Sequence, residues 1–319
     1  MLLYAFLFVV GLVILYFGAE GLVQGASSVA LQYGIPPVVV GLTVVALGTS
    51  MPEFLVNVFA LLTDESPLAL GNIIGSNISN VALILGSCAL VLPLTVTPAI
   101  LRREYPVMLG VMVLFYVCAL DGVIGTIDGI VMITLLLGLG GILFYDTQQS
   151  ESAAILEQME GDLEADPQMS ALAEVGYVLG GMIGLALGAH LMVDSAVAMA
   201  HRLGIATGII GLTAVALGTS LPELAASMVS VAKSDVDMSV GNVMGSNVLN
   251  VLFVVGFLSI FHSLEVETRS LQFDFPVMLG FCGLLLPLAW TNSRISRLGG
   301  SILLVAFLGY LGYLMLPYL

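Results

Sequence analysis

The chain reads as an all-α integral membrane protein: ten transmembrane helices in two inverted-topology five-helix repeats. Three observations predict this. Of 319 residues, 59 % are hydrophobic and 9 % charged, against about 25 % charged in soluble domains. Mean hydropathy is +1.10, and nearly the whole sequence falls into apolar stretches near the 20 residues a helical span needs. Motifs in the first half recur in the second at a constant offset of 170 residues.

The spans follow in order. The first, 3–31, opens on "MLLYAFLFVVGLVILYFGAE". It lacks the basic n-region and small-residue cleavage site of a signal peptide, and its apolar run is longer, so it is expected to be a span. Windows at 38–62, 69–93, 104–120 and 123–145 complete one half. The segment 146–173 carries Asp146, Glu151, Glu157, Glu160, Asp162, Glu164 and Asp166 and no basic residue; it reads as an acidic linker, its charge run solvated. Windows at 174–201, 208–232, 239–262, 273–290 and 297–317 form the second half. The expected organisation is therefore 1–145, linker 146–173, and 174–319.

The halves match without insertion. Gly18 maps to Gly188, Thr49-Ser50 to Thr219-Ser220, Glu53 to Glu223, Gly75-Ser76-Asn77 to Gly245-Ser246-Asn247, Asn80 to Asn250, and "PVMLG" at 106–110 to "PVMLG" at 276–280. Between 41 and 53, 11 of 13 positions are identical to their mates. An odd number of spans per half makes the second half cross the membrane in the opposite sense, a plan typical of secondary transporters with a midplane site. Arg102, Arg103, Lys233, Arg294 and Arg297 fall on the linker's side and Arg202 and Arg269 on the other. The positive-inside rule then places the linker in the cytoplasm and both termini outside a cell (inner or plasma) membrane.

Seven basic residues against 22 acidic ones argue against a nucleic-acid partner. Cys88, Cys118 and Cys282 lie in apolar runs and read as packing residues, not a disulfide framework.

Polar groups at membrane depth carry the functional signal. Thr49, Ser50 and Glu53 fall near the middle of span 38–62, where a charged side chain costs about 2.5–3.5 kcal/mol on insertion scales. Pro52 has no amide hydrogen for the Gly48 carbonyl, so a kink is expected there. Thr49, Glu53 and Asn57 share one helical face, as do Asn72, Ser76 and Asn80 in the next span. The second half supplies Thr219, Glu223 and Ser227, then Asn242, Ser246 and Asn250. Four helices thus direct two carboxylates, hydroxyls and amides toward one centre. All are hard oxygen ligands of the kind Ca²⁺ takes six to eight at a time, and Na⁺ can compete for the same cage. For the Ser and Asn stripes the competing reading is interhelical glue; an ionisable group at midplane does not need that role. The duplicated glycines read as packing. Glu20 and His190, repeat mates in spans 1 and 6, read as a packing or gating pair.

The segments "GLTVVALGTSMPEF…GNIIGSNISN" and "GLTAVALGTSLPEL…GNVMGSNVLN" resemble the two α-repeats of the sodium/calcium exchanger family, within the cation/calcium antiporter superfamily, in its compact prokaryotic form. The resemblance runs from about Gly18 to the end of the ninth span. It implies that spans 2, 3, 7 and 8 hold the ions and that spans 1 and 6 slide as a gate. It implies as ion ligands the Ala46 carbonyl, Thr49, Ser50, Glu53, Ser76 and Asn80, with Ala216, Thr219, Ser220, Glu223, Ser246 and Asn250 from the second repeat. Several exchangers carry aspartate where this chain has Asn250, so the site here is symmetric with one fewer titratable group, and stoichiometry stays open.

The function expected is Na⁺/Ca²⁺ antiport by alternating access. Its substrates are Ca²⁺ and Na⁺ in a lipid bilayer, with neither cofactor nor obligatory protein partner. An H⁺/Ca²⁺ or K⁺-involving exchanger on the same fold is the alternative. An intramembrane hydrolase and a channel are remoter. The chain has no H-E-x-x-H motif, and inverted duplication favours alternating access over a pore.

Overall fold

A computed structural model describes residues 1–62, 66–149, 169–203, 217–290 and 293–316. Most of the 146–173 linker and the start of the seventh expected span, including Ala216, therefore lie outside the described residues.

Among the described residues seven helices are long and apolar enough to cross a membrane, and an eighth span is a bent pair. In chain order they are α1 (Leu2–Tyr33), α2 (Pro37–Thr49) bent by 42° onto α3 (Met51–Leu62), α4 (Ala69–Val91), α5 (Glu104–Ala119), α6 (Thr126–Gln149), α7 (Ala171–Arg202), α8 (Leu221–Ala232), α9 (Val236–Phe261), α10 (Ser270–Ala289) and α11 (Arg297–Met315). The α2–α3 bend falls one residue before Met51-Pro52, the place where the missing proline amide interrupts the helical ladder.

Burial separates the helices into two classes. In α4 and α9, 83 % and 72 % of the apolar window is buried, against 22 % in α1 and 11 % in α6. The first pair is a core surrounded by protein. The outer helices present Leu, Phe and Val to the exterior, among them Phe6, Val9, Leu137 and Val305. In a hydrocarbon solvent that outward apolar surface carries no penalty.

Helix α1 lies against α7, and glycine sets how closely. A Cβ on Gly11 would meet the Gly188 carbonyl and one on Gly188 the Gly11 carbonyl; Gly18 and Gly181 meet in the same reciprocal way. Position 11 thus faces 188 while 18 faces 181, so the two helices are antiparallel. They are also repeat mates (11 with 181, 18 with 188). Close approach of this kind replaces the absent hydrophobic drive between helices in lipid. Gly41, Gly241 and Gly245 similarly seat α2 on α9, each with room for no more than a hydrogen against the Met238, Val38 and Leu42 carbonyls.

Two short antiparallel pairings join the loops. Strand β1 (Leu94–Thr95) pairs with β4 (Arg294–Ile295), and β2 (Val123–Ile124) with β3 (Leu264–Glu265). The pairs are counterparts in the two halves, β1 and β3 separated by 170 residues and β2 and β4 by 171. Each ties a loop of the first half to one of the second.

Periodicity at 3.6 residues gave no warning of the four π-helical turns among the described residues: Gly41–Val45, Asn80–Ile84, Asn250–Val255 and Ser270–Asp274. The middle two begin on the mated asparagines 80 and 250. A π turn inserts one residue into the ladder and re-aims the side chains around it, and such turns collect at functional sites.

The ionisable residues outside the centre are placed differently from expectation. His190 faces outward and pairs with Asp194 at 3.3 Å on its own helix, because i,i+4 residues share a helical face. The carboxylate buried between α1 and α7 belongs to Glu174, which accepts from Ser28 Oγ at 2.7 Å. All three cysteines are free thiols.

Candidate functional site: a buried oxygen cage

The bent pair α2–α3, the turn leading into α8, and the helices α4, α8 and α9 bring the expected polar residues together. Thr49, Ser50, Glu53, Ser76, Asn80, Ser220, Glu223, Ser246 and Asn250 are all buried, and Thr219 nearly so. The contacts cross between halves in mirrored pairs. Thr49 Oγ1 donates to Asn242 Oδ1 at 3.2 Å, and Thr219 Oγ1 to Asn72 Oδ1 at the same distance. Thr49 and Ser246 hydroxyls lie 3.4 Å apart, Thr219 and Ser76 hydroxyls 3.3 Å. Asn80 Nδ2 donates to Asn247 Oδ1 at 3.0 Å, and Asn250 Nδ2 to Asn77 Oδ1 at 3.4 Å.

Other contacts are not mirrored. Ser50 Oγ donates to Glu223 Oε1 at 3.3 Å, whereas the mate Ser220 Oγ has no hydrogen-bond partner. The Glu53 carboxylate lies beside Thr219 and Ser76 and feels the charge of Glu223. Its backbone carbonyl takes a 2.6 Å bond from Asn57 Nδ2, while that of Glu223 accepts from Asn242 Nδ2 at 3.3 Å.

Several buried oxygens receive no hydrogen at all. They are both carboxylate oxygens of Glu53, Glu223 Oε2, Asn80 Oδ1 and Asn250 Oδ1, joined by the Ser220 hydroxyl. A buried acceptor left without a donor costs about 1–3 kcal/mol, so such a group calls for a reason. Here all are hard oxygens within these same elements, and what they lack is positive charge. The Ala46 carbonyl is engaged differently: it accepts from Ser50 N at 3.0 Å and lies 3.3 Å from Thr49 Oγ1, whose hydrogen goes to Asn242. Ala216, its mate, lies outside the described residues.

Comparison with known proteins gives the same direction. The family model described as "Sodium/calcium exchanger protein" matches residues 3–149 and 173–316. The chain belongs to the sodium/calcium exchanger family. It is a prokaryotic-type cation/calcium exchanger and a membrane antiporter by that kinship. It is 36 % identical to "Inner membrane protein YrbG" of Escherichia coli K12 over 321 residues, covering 100 % of this chain and 98 % of that one. It is 35 % identical to "Putative antiporter CaxA" of Alkalimonas amylolytica, covering 94 % and 95 %. "Sodium/calcium exchanger MaX1" of Methanosarcina acetivorans is 29 % identical over 94 % of this chain and 95 % of its own length. Among solved structures, the sodium-calcium exchanger NCX_Mj soaked with 2.5 mM Na⁺ and 1 mM Sr²⁺ superposes with TM-score 0.81 at 31 % identity, over 98 % of both chains. Of these relatives, MaX1 and NCX_Mj are named exchangers and CaxA a putative antiporter.

Sequence reasoning placed Asn72 and Asn242 on polar stripes but did not give them a role: each accepts the threonine hydroxyl of the opposite half. It passed over Asn77 and Asn247 altogether, reading them only as part of a repeated tripeptide. Their duplication at the 170 offset was the available signal. Their partners lie across the molecule, which a stripe on one helix does not reveal.

Proposed function

We propose that this exchanger-family chain moves Na⁺ and Ca²⁺ in opposite directions through one site shared by two inverted five-helix halves. The observation that carries the reading is the set of unpartnered inward oxygens led by Glu53 and Glu223. The ligands of the proposal are Thr49, Ser50, Glu53, Ser76, Asn80, Thr219, Ser220, Glu223, Ser246 and Asn250, with the carbonyls of Ala46 and Ala216.

The local chemistry supports it. Two carboxylates neutralise one Ca²⁺ or two Na⁺, and neutral hydroxyl and amide oxygens complete a shell of six to eight. Thr49 and Thr219 spend their hydrogens on asparagine oxygens, leaving lone pairs for an ion. Ser50 spends its hydrogen on Glu223 and must turn it away when a cation arrives. A doubly occupied cage would bury excess positive charge, so the two ions exclude each other and must alternate.

Ten spans are supported by the helices described and by the fragments whose loops are joined. Inversion is supported by the antiparallel packing of the mated helices α1 and α7. The domain reading, 1–145, linker 146–173 and 174–319, follows the same duplication. Pairing of β1 with β4 keeps Arg102, Arg103, Arg294 and Arg297 on one side, in accord with a cytoplasmic linker and extracytoplasmic termini.

The test is ⁴⁵Ca²⁺ flux in proteoliposomes. An outward Na⁺ gradient is expected to drive Ca²⁺ uptake, and Glu223→Gln to abolish it, since removing one partner of a buried charge set costs about 3–5 kcal/mol. Uptake indifferent to Na⁺ but driven by a pH gradient overturns sodium coupling and leaves the oxygen cage standing.

A further inference from the structure

Asn80 and Asn250, two of the asparagines whose amide oxygens are unpartnered, are each backed by a relay that ends on sulfur. Asn80 Nδ2 donates to Asn247 Oδ1 at 3.0 Å, and Asn247 Nδ2 donates to Met108 Sδ at 3.6 Å. The other half repeats the chain. Asn250 Nδ2 donates to Asn77 Oδ1 at 3.4 Å, and Asn77 Nδ2 to Met278 Sδ at 3.9 Å. Positions 77 and 247, 80 and 250, and 108 and 278 are all separated by 170. Asn77, Asn247, Met108 and Met278 are completely buried.

The chemistry of these groups gives the relay a direction. A thioether has lone pairs and no hydrogen, so it only accepts. A primary amide accepts at one end and donates at the other, and a half-turn about its last bond exchanges them. With Met108 able only to accept, Asn247 must turn its NH₂ to the sulfur and its oxygen to Asn80. Asn80 must then spend its NH₂ on that oxygen, which leaves Oδ1 as its free end. The same sequence of choices runs from Met278 through Asn77 to Asn250. Flipping Asn80 or Asn250 would set oxygen against oxygen, and flipping Asn247 or Asn77 would set donor against donor and oxygen against sulfur.

We infer that Met108, Asn247, Met278 and Asn77 are positioning residues that hold the amides of Asn80 and Asn250 oxygen-first toward the transported cation. The inference rests on the proposal that Asn80 and Asn250 are ion ligands, and adds what selects their orientation. An NH₂ group aimed at Ca²⁺ or Na⁺ repels it, so the relay decides whether each asparagine is a ligand or an obstacle. It also explains why "PVMLG", on spans that contribute no ligand, is kept in both halves of this chain: its methionine reaches the core.

Calorimetric titration of the purified full chain with Ca²⁺ tests it, using Met108→Leu and Met278→Leu. Leucine keeps the volume and removes the acceptor. Each variant is expected to raise the Ca²⁺ dissociation constant about tenfold, the lower end of what losing an outer-shell partner costs, with the ion-free melting temperature close to wild type. In an Asn80→Asp background both ends of the side chain are oxygens and orientation no longer matters, so Met108→Leu is expected to cause no further loss. Wild-type affinity in both leucine variants overturns the relay. So does an equal loss in the Asn80→Asp background, or failure of both variants to fold, either of which marks the methionines as core packing. Wild-type protein that binds neither Ca²⁺ nor Na⁺ overturns the ion-site reading, and the relay with it.

Discussion

Ser50 and Ser220 occupy equivalent positions, yet one donates to a glutamate across the site and the other has no partner. The duplicated sequence therefore does not impose identical hydrogen bonding on the two halves, and this pair is one place where they differ. Another residue makes a prediction away from the membrane. Asp235 precedes α9 and caps it, accepting from Met238 N at 3.0 Å, while its second oxygen has no partner. Burial pushes its carboxyl up to about 6 from an ordinary 3.8. Between those values the folded chain holds more protons than the unfolded one, so stability falls as pH rises through that window and levels off above it. Asp235→Asn keeps the cap and removes the slope, which amounts to about 3 kcal/mol at its upper limit. Melting in detergent at pH 4.5 and 7.5 checks this: the wild type is expected to lose more stability at the higher pH than the variant, which keeps only the slope of other half-buried carboxyls such as Asp237.

At the scale of elements, the outer pair α1 and α7 is governed by what glycine permits. A Cβ on Gly188 would lie 2.5 Å from Leu15 N, a backbone atom that cannot move aside alone. Gly188→Ala is therefore expected to destabilise by about 1–3 kcal/mol through overpacking. Gly180, on the same helix with nothing within 4 Å, gives the opposite sign on the same change, a gain of up to about 1 kcal/mol from helix propensity. Thermal melts of the two variants decide it; equal shifts would show that the interface is looser than described. The inner pair α4 and α9 follows another logic. Their π turns begin on Asn80 and Asn250, placing each asparagine where the ladder widens and the side chain can reach the opposite half.

For the whole molecule, the two strand pairs make orientation testable. Thr95 and Glu265 are exposed on β1 and β3, which belong to different pairs. With the linker cytoplasmic, Glu265→Cys in a background free of Cys88, Cys118 and Cys282 is expected to react with an impermeant maleimide on intact cells. Thr95→Cys is expected to react only after lysis. Labelling of both from one side would refute the inverted plan.

The sequence by itself determined the class of molecule, the duplication and the four core stretches. Hydropathy, a fixed offset and midplane polar residues are all local or linear signals. Thr49, Glu53 and Asn80 were legible as candidates because a buried polar group in lipid needs a reason wherever it packs. Tertiary structure alone decided which groups meet. The bonds from Asn80 to Asn247 and from Asn247 to Met108 cross 167 and 139 residues of chain, and no periodicity within one helix encodes such a pairing. The same holds for Glu174, whose partner Ser28 lies 146 residues away on α1, and for the π turns, whose extra residue leaves the hydrophobic pattern almost unchanged. Covalent order fixes what each helix carries; only packing fixes what each side chain faces.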